Sequence, residues 1–162
     1  MKKMPRKWKA YKTIVLFLVG YCAYIAIEVT FRGFSYPLMG VCSGIAIVLL
    51  DKINDNISWD VDLLLQGVCG SALITLFEFI IGEIHLHTGL LPAMWDYSNV
   101  PLNYHGIICL PFSLLWVALS ILAIFLADAI NYYVFETISE PPYYRIFGHI
   151  VLVFKRKDKG AH

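Results

Sequence analysis

The chain has 162 residues, 59% of them hydrophobic and only 15% charged, with a formal net charge of +1. Soluble domains carry about a quarter charged residues, so the composition argues against a water-soluble globule and points to lipid as the solvent. Apart from Arg32 and Lys52, every Lys and Arg lies in 1–12 or from Arg145 onward, which leaves Lys52 to Arg145 without a basic residue between them.

The first twelve residues hold Lys2, Lys3, Arg6, Lys7, Lys9 and Lys12 and lead into an apolar run. That run is long, has no clean small-x-small cleavage site and contains Glu28, so it reads as a retained first span and not as a signal peptide. A helix needs roughly 20 residues to cross about 30 Å of hydrocarbon. On that measure spans are expected over 13–31, 34–53, 61–82 and 107–127, with Pro37 and Pro111 in the first turns of the second and fourth. The predicted architecture is an all-α polytopic membrane protein of four transmembrane helices in a single domain, 1–162. A reading with 37–50 re-entrant would leave three spans and put the lysine-rich tail outside, against the charge pattern. With four spans, both basic termini face the cytoplasm, as the positive-inside rule requires. The chain then sits in the plasma membrane (a bacterial inner membrane), with the 83–106 loop extracytoplasmic. Beyond the fourth span, Asp128–Glu136 reads as a continuation of the helix until Pro141-Pro142. The aromatic stretch 143–154, flanked by Arg145 and the Lys155–Lys159 cluster, reads as an interfacial segment on an anionic leaflet or as a helix docked on the bundle.

Small and polar residues mark the helix faces that meet. They are Gly40 and Gly44 with Ser43 in the second span, and the stripe of Gly67, Gly70, Ser71, Thr75, Glu78 and Gly82 in the third. The fourth contributes Ser113, Ser120 and Ala127, with Trp116 on the same side. In the first span Tyr21, Tyr24 and Glu28 share a face. Cys22, Cys42 and Cys69 lie in apolar runs, where cysteine acts as a small hydrophobe, and no C-x-x-C pair suggests a redox or zinc motif.

A carboxylate within hydrocarbon is costly and normally turns toward the protein interior with a partner. Glu28 lies four residues before Arg32, and Glu78 four before Gly82, so helical rise places each about 6 Å below the same membrane face. One expectation is structural: Glu28 pairs with Arg32, and Glu78 is hydrogen-bonded to a neighbouring helix. The other is functional: a polar chamber open to the outside, lined by Glu28, Glu78, Asp96, Asn103, Tyr24 and Trp95, that binds a cation, an amine or a proton. Glu83, His85 and His87 are weak metal candidates, because ligands at alternate positions suit an extended strand and not one helix face. A solvated loop is the expected setting for them. No catalytic constellation and no phosphate-binding loop is present, so no cofactor is expected and the chain is not itself an ATPase.

The most distinctive segment is Trp95-Asp96-Tyr97-Ser98-Asn99-Val100-Pro101-Leu102-Asn103-Tyr104-His105-Gly106-Ile107-Ile108-Cys109-Leu110. Its aromatics suit the headgroup layer, and its Asp, Ser and Asn residues suit compact turns. With Phe112–Trp116, Glu28, Arg32-Gly33-Phe34, Glu78 and Gly82, it resembles the CmpB-like bacterial family described as ABC-transporter type IV permeases. The resemblance runs from about Gly20 to Ala127, and the basic arm and the Pro-Pro, lysine-rich tail depart from it. It implies transport. It also implies partners: a homo-oligomer or another membrane subunit to complete a path, and a separate ATPase, with the lipid bilayer around them and no nucleic acid. The readings to be distinguished are a transport or substrate-binding component, a membrane-embedded enzyme acting on a lipid-type substrate, and a non-catalytic assembly or sensor subunit.

Overall fold

The computed structural model describes residues 6–54 and 58–157. Four helices dominate it: α1 (Arg6–Arg32), α2 (Pro37–Asn54), α3 (Leu63–Thr88) and α4 (Leu110–Ala129), the last continuing as a π-helical turn over Ile130–Val134. Among the described residues, three segments are long and apolar enough to cross a membrane, Lys7–Arg32, Leu63–Thr88 and Leu110–Val134. α2 is the shortest of the four at 18 residues. The chain is a multi-pass membrane protein. Its helices expose large apolar side chains such as Leu18, Leu65, Leu76, Leu114 and Leu122 on their outer faces, where lipid and not water is the medium.

Local chemistry sets the helix ends. Pro37 opens α2, where its missing N–H would be unpaired in any case. Asp62 caps α3 by accepting from the Leu64 N–H at 2.8 Å, and Gly89, at φ +64°, closes it by donating to the His85 carbonyl. α3 therefore runs six residues beyond the expected 82. Glu83, His85 and His87 are helical and do not lie in a loop.

The helices pair as antiparallel hairpins, α1 with α2 and α3 with α4, and α2 joins the two pairs. Glycine makes both seams. A Cβ on Gly44 would stand 2.8 Å from the Phe17 carbonyl, and one on Gly70 would stand 2.5 Å from Ser120 Oγ. Hydrogen bonds reinforce the contact: Ser43 Oγ donates to the Gly20 carbonyl at 3.0 Å, and Ser71 Oγ to the Ser113 carbonyl at 2.5 Å. The small-residue faces expected to meet are the faces that meet.

At the end where α1 begins, the bundle buries charge. Lys12 Nζ pairs with Asp51 at 3.0 Å, and Asn131, on the π-helical turn, donates to the same carboxylate at 2.6 Å. Nearby, the Tyr144 hydroxyl donates to Asp128 at 2.6 Å. The 143–154 stretch is not a docked helix. It forms an antiparallel β-hairpin of β3 (Tyr143–Ile146) and β4 (His149–Val153). Tyr144, Ile146 and Phe154 pack on Leu63, Ile121, Ile124 and Phe125 of α3 and α4. At the opposite end, the loop between α3 and α4 carries a two-residue ladder, β1 (Asn103–Tyr104) with β2 (Ile108–Cys109).

Candidate functional site

Glu78 sits in the interior of α3 with only 3% of its surface exposed. Two donors hold its carboxylate. The Tyr97 hydroxyl donates to Oε1 at 2.8 Å, and the Trp116 indole N–H donates to Oε2 at 3.1 Å. Trp116 comes from α4. Tyr97 comes from the loop, where its ring lies 4.7 Å from that of Phe112 and its own N–H donates to the Gly106 carbonyl. Burial, followed by the Glu78 charge, pushes the Tyr97 phenol above its ordinary range, so it remains a donor.

Glu28 has a different setting. Arg32 pairs with it at 2.7 Å, the Tyr24 hydroxyl donates to it at 3.2 Å, and Ser35 Oγ donates to its second oxygen. Arg32 also donates to the Met94 carbonyl at 3.1 Å and lies over the Phe34 ring, so it staples the end of α1 to the loop. Tyr24 stands between the two acids. Its hydroxyl is on Glu28, and its ring centroid is 6.4 Å from that of Trp116, the residue that donates to Glu78. The two carboxylates therefore lie toward the same end of the bundle, as helical rise implies, each with its own partners.

Between the helix pairs is a cavity of about 280 Å³. Its wall is mostly apolar, with Ile27, Met39, Ile74, Phe77, Leu119 and Leu126 among its residues. Among the described residues, Glu78 is the only carboxylate on it. Tyr24, Trp95 and Trp116 line the same end, and Glu28 does not reach it. The chamber is thus less polar than the sequence suggested.

The loop residues divide by role. Trp95 lines the cavity and donates its indole N–H to the Ile107 carbonyl at 2.7 Å. Asp96 and Asn103 are exposed and build turns. Asp96 accepts from the Ser98 N–H at 2.8 Å, and the Ser98 backbone and side chain hold its carboxyl below the usual range. Asn103 donates to the Val100 carbonyl at 2.8 Å and accepts from the Gly106 N–H at 3.0 Å. These bonds set the path through Leu102, His105 and Gly106, all at positive φ, and so place Tyr97 and Trp95.

His85 and His87 stand two residues apart on a helix, roughly 200° around the axis. His85 Nδ1 lies 2.7 Å from the Leu91 carbonyl, and His87 Nδ1 lies 3.2 Å from Glu83. Among the described residues, no group of three or more His, Cys, Asp or Glu side chains could hold a metal ion. Sequence reasoning missed Tyr97, Ser35 and the Lys12–Asp51–Asn131 cluster, and saw Trp116 only as an inward-facing residue. For Tyr97 the available signal was its place in a loop dense with polar residues beside an intramembrane acid.

A family model described as "ABC_trans_CmpB: Putative ABC-transporter type IV" matches residues 8–157. No curated protein and no solved structure matches the chain.

Proposed function

This chain belongs to the ABC-transporter type IV family of CmpB type, and on that premise we propose that it is a transport or substrate-binding component of the plasma membrane. Its ligand is an amphiphile. The apolar body occupies the cavity between the helix pairs, and a cationic or hydrogen-bond-donating head meets Glu78. The observation that carries this reading is a single carboxylate, among the described residues, on a mostly apolar wall. A carboxylate offers about four lone-pair sites, and Tyr97 and Trp116 occupy two of them, which leaves acceptor capacity for a ligand. Tyr24 and Trp95 complete that end of the site, Glu28 stands behind Tyr24 as its hydrogen-bond partner, and Asp96 and Asn103 shape the loop that covers it.

Access is from the side. Ile27 of α1 and Leu122 and Leu126 of α4 line the cavity yet are 42%, 59% and 39% exposed, so the gap between these helices faces the bilayer. α2 makes the fourth crossing, and both termini are cytoplasmic, in keeping with the basic residues gathered at that end. Further copies of the chain or another membrane subunit complete the path, and a separate ATPase supplies the energy.

Titration of the protein in nanodiscs with decylammonium and with decyl sulfate, followed by indole fluorescence, tests the reading. Saturable quenching by the cation, weak response to the anion and loss of the response in Glu78→Gln are expected. Equal responses to both amphiphiles, or an unchanged response in a folded Glu78→Gln protein, would sink it.

A further inference from the structure

The β3–β4 hairpin breaks a local rule. Ile146 pairs with His149, leaving a two-residue loop of Phe147 and Gly148, at φ +49° and +80°. Two consecutive positive φ values are the pattern of a type I′ turn, whose first position favours Asn, Asp or Gly. A bulky aromatic there is a backbone outlier. Its ring gains nothing from the protein in return, since Phe147 is 81% exposed. Ile150, Val151 and Val153 of β4 are also more than half exposed. Strain of this kind persists where something else rewards it, and here the reward lies outside the chain.

The depth of the turn identifies the medium. The Phe147 N–H donates to the Asp62 carboxylate, and Asp62 is the N-cap of α3, whose membrane-crossing segment begins at Leu63. The hairpin tip is therefore level with the point where α3 enters hydrocarbon. Basic and aromatic side chains gather at the same end: Lys155 and Arg156 follow β4, and Lys7, Trp8, Lys9 and Tyr11 begin α1, all exposed. Arg145 pairs with Asp60 and Lys157 with Glu136, so Lys155, Arg156, Lys7 and Lys9 carry the attraction. An apolar tip at the edge of the hydrocarbon, with cations beyond the open end of the hairpin and at the start of α1, matches the layering of an anionic leaflet.

We propose that the 143–153 hairpin is a membrane-docking element, with Phe147 inserted among the anionic phospholipids of the leaflet that faces the chain termini. The site is independent of the cavity. An ATPase or another soluble protein is the competing occupant, and its surface would meet the hairpin from the aqueous side.

Photocrosslinking of the full-length protein with p-benzoylphenylalanine at position 147 separates the two. In native membranes the expected adducts are phospholipids. In nanodiscs the yield is expected to be several-fold higher with phosphatidylglycerol present than with phosphatidylcholine alone, and Lys155→Gln with Arg156→Gln should shrink that difference, with Lys7 and Lys9 carrying the remainder. Phe147→Asn suits the turn and is expected to fold at least as well, while shielding of a label at Ile150 from water-soluble quencher falls. Adducts to a protein partner, no lipid adducts, or equal yields in the two kinds of disc would overturn the proposal.

Discussion

Tyr97 reaches from the 89–109 loop to donate its hydroxyl to the Glu78 carboxylate at 2.8 Å, tying that loop to the interior of α3. The bond makes loop order depend on an intramembrane acid. Tyr97→Phe keeps the ring contact with Phe112 and deletes one donor to a carboxylate, so a loss of about 1.5–3 kcal/mol is expected. Glu78→Ala leaves two buried donors without an acceptor, at about 1–3 kcal/mol each. Denaturant titrations in detergent should therefore rank Glu78→Ala as the more damaging change. The reverse order would mean that the carboxylate is not the hub of the site.

Stability should fall in alkali for a reason that can be traced to two phenols. Burial and a neighbouring carboxylate, Glu78 for Tyr97 and Asp128 for Tyr144, raise both above the ordinary value near 10. With the folded value above the unfolded one, the native state retains protons that the unfolded chain has released. The contribution is complete below about pH 10 and is lost as pH rises further. Melting temperatures recorded from pH 8 to pH 11 should drop over the upper part of that range. In the double variant Tyr97→Phe/Tyr144→Phe the drop should be shallower, and an identical slope in that variant would remove these two groups as its source.

Much of the site could be read from sequence because helical rise is fixed. Counting back from Arg32 and Gly82 put Glu28 and Glu78 toward one end of the bundle, and the small-residue stripes identified which faces touch. What could not be read depends on register between distant segments. Lys12, Asp51 and Asn131 converge only because α1 and α2 pair in one register and a π-helical turn then carries Asn131 toward them. The hairpin was hidden for a different reason. Its turn uses Phe147 where Asn would have announced it, so the stretch 143–154 read as an interfacial segment or a docked helix and not as a hairpin. Asp96 and Asn103 were visible both as turn builders and as pocket residues, and their hydrogen bonds within the loop fit the first role.

Two glycines of similar appearance should respond to alanine through different physics. Gly33 has φ +80° and open space around it, so Gly33→Ala meets only backbone strain, about 1–2 kcal/mol. Gly44 is crowded. A Cβ there would lie 2.7 Å from the Phe17 ring and 2.8 Å from the Phe17 carbonyl, and overpacking of this kind costs about 1–3 kcal/mol. Phe17→Leu removes the first clash and not the second. The Gly44→Ala/Phe17→Leu protein should therefore recover part of the loss, whereas Phe17→Leu should leave the Gly33→Ala defect untouched. Full recovery would show that α1 and α2 can part at the backbone more easily than their packing implies.

Where α1 begins, the bundle holds a buried ion pair. The Lys12 and Asp51 side chains are 10% and 5% exposed, so the two charges meet largely out of water, and Asn131 adds a donor on the Asp51 side. Lys12→Met removes the cation and leaves a desolvated carboxylate, a change that costs about 3–5 kcal/mol when a buried pair is broken on one side. Adding Asp51→Asn removes the stranded charge while keeping an acceptor for Asn131, and replacing both members of a buried pair is often close to neutral. The double variant should therefore be markedly more stable than Lys12→Met alone, a sign of coupling that a double-mutant cycle reads directly. If Lys12→Met were as stable as the parent, water would have to reach Asp51. The seal that α1, α2 and the π-helical turn form beneath the cavity would then be open.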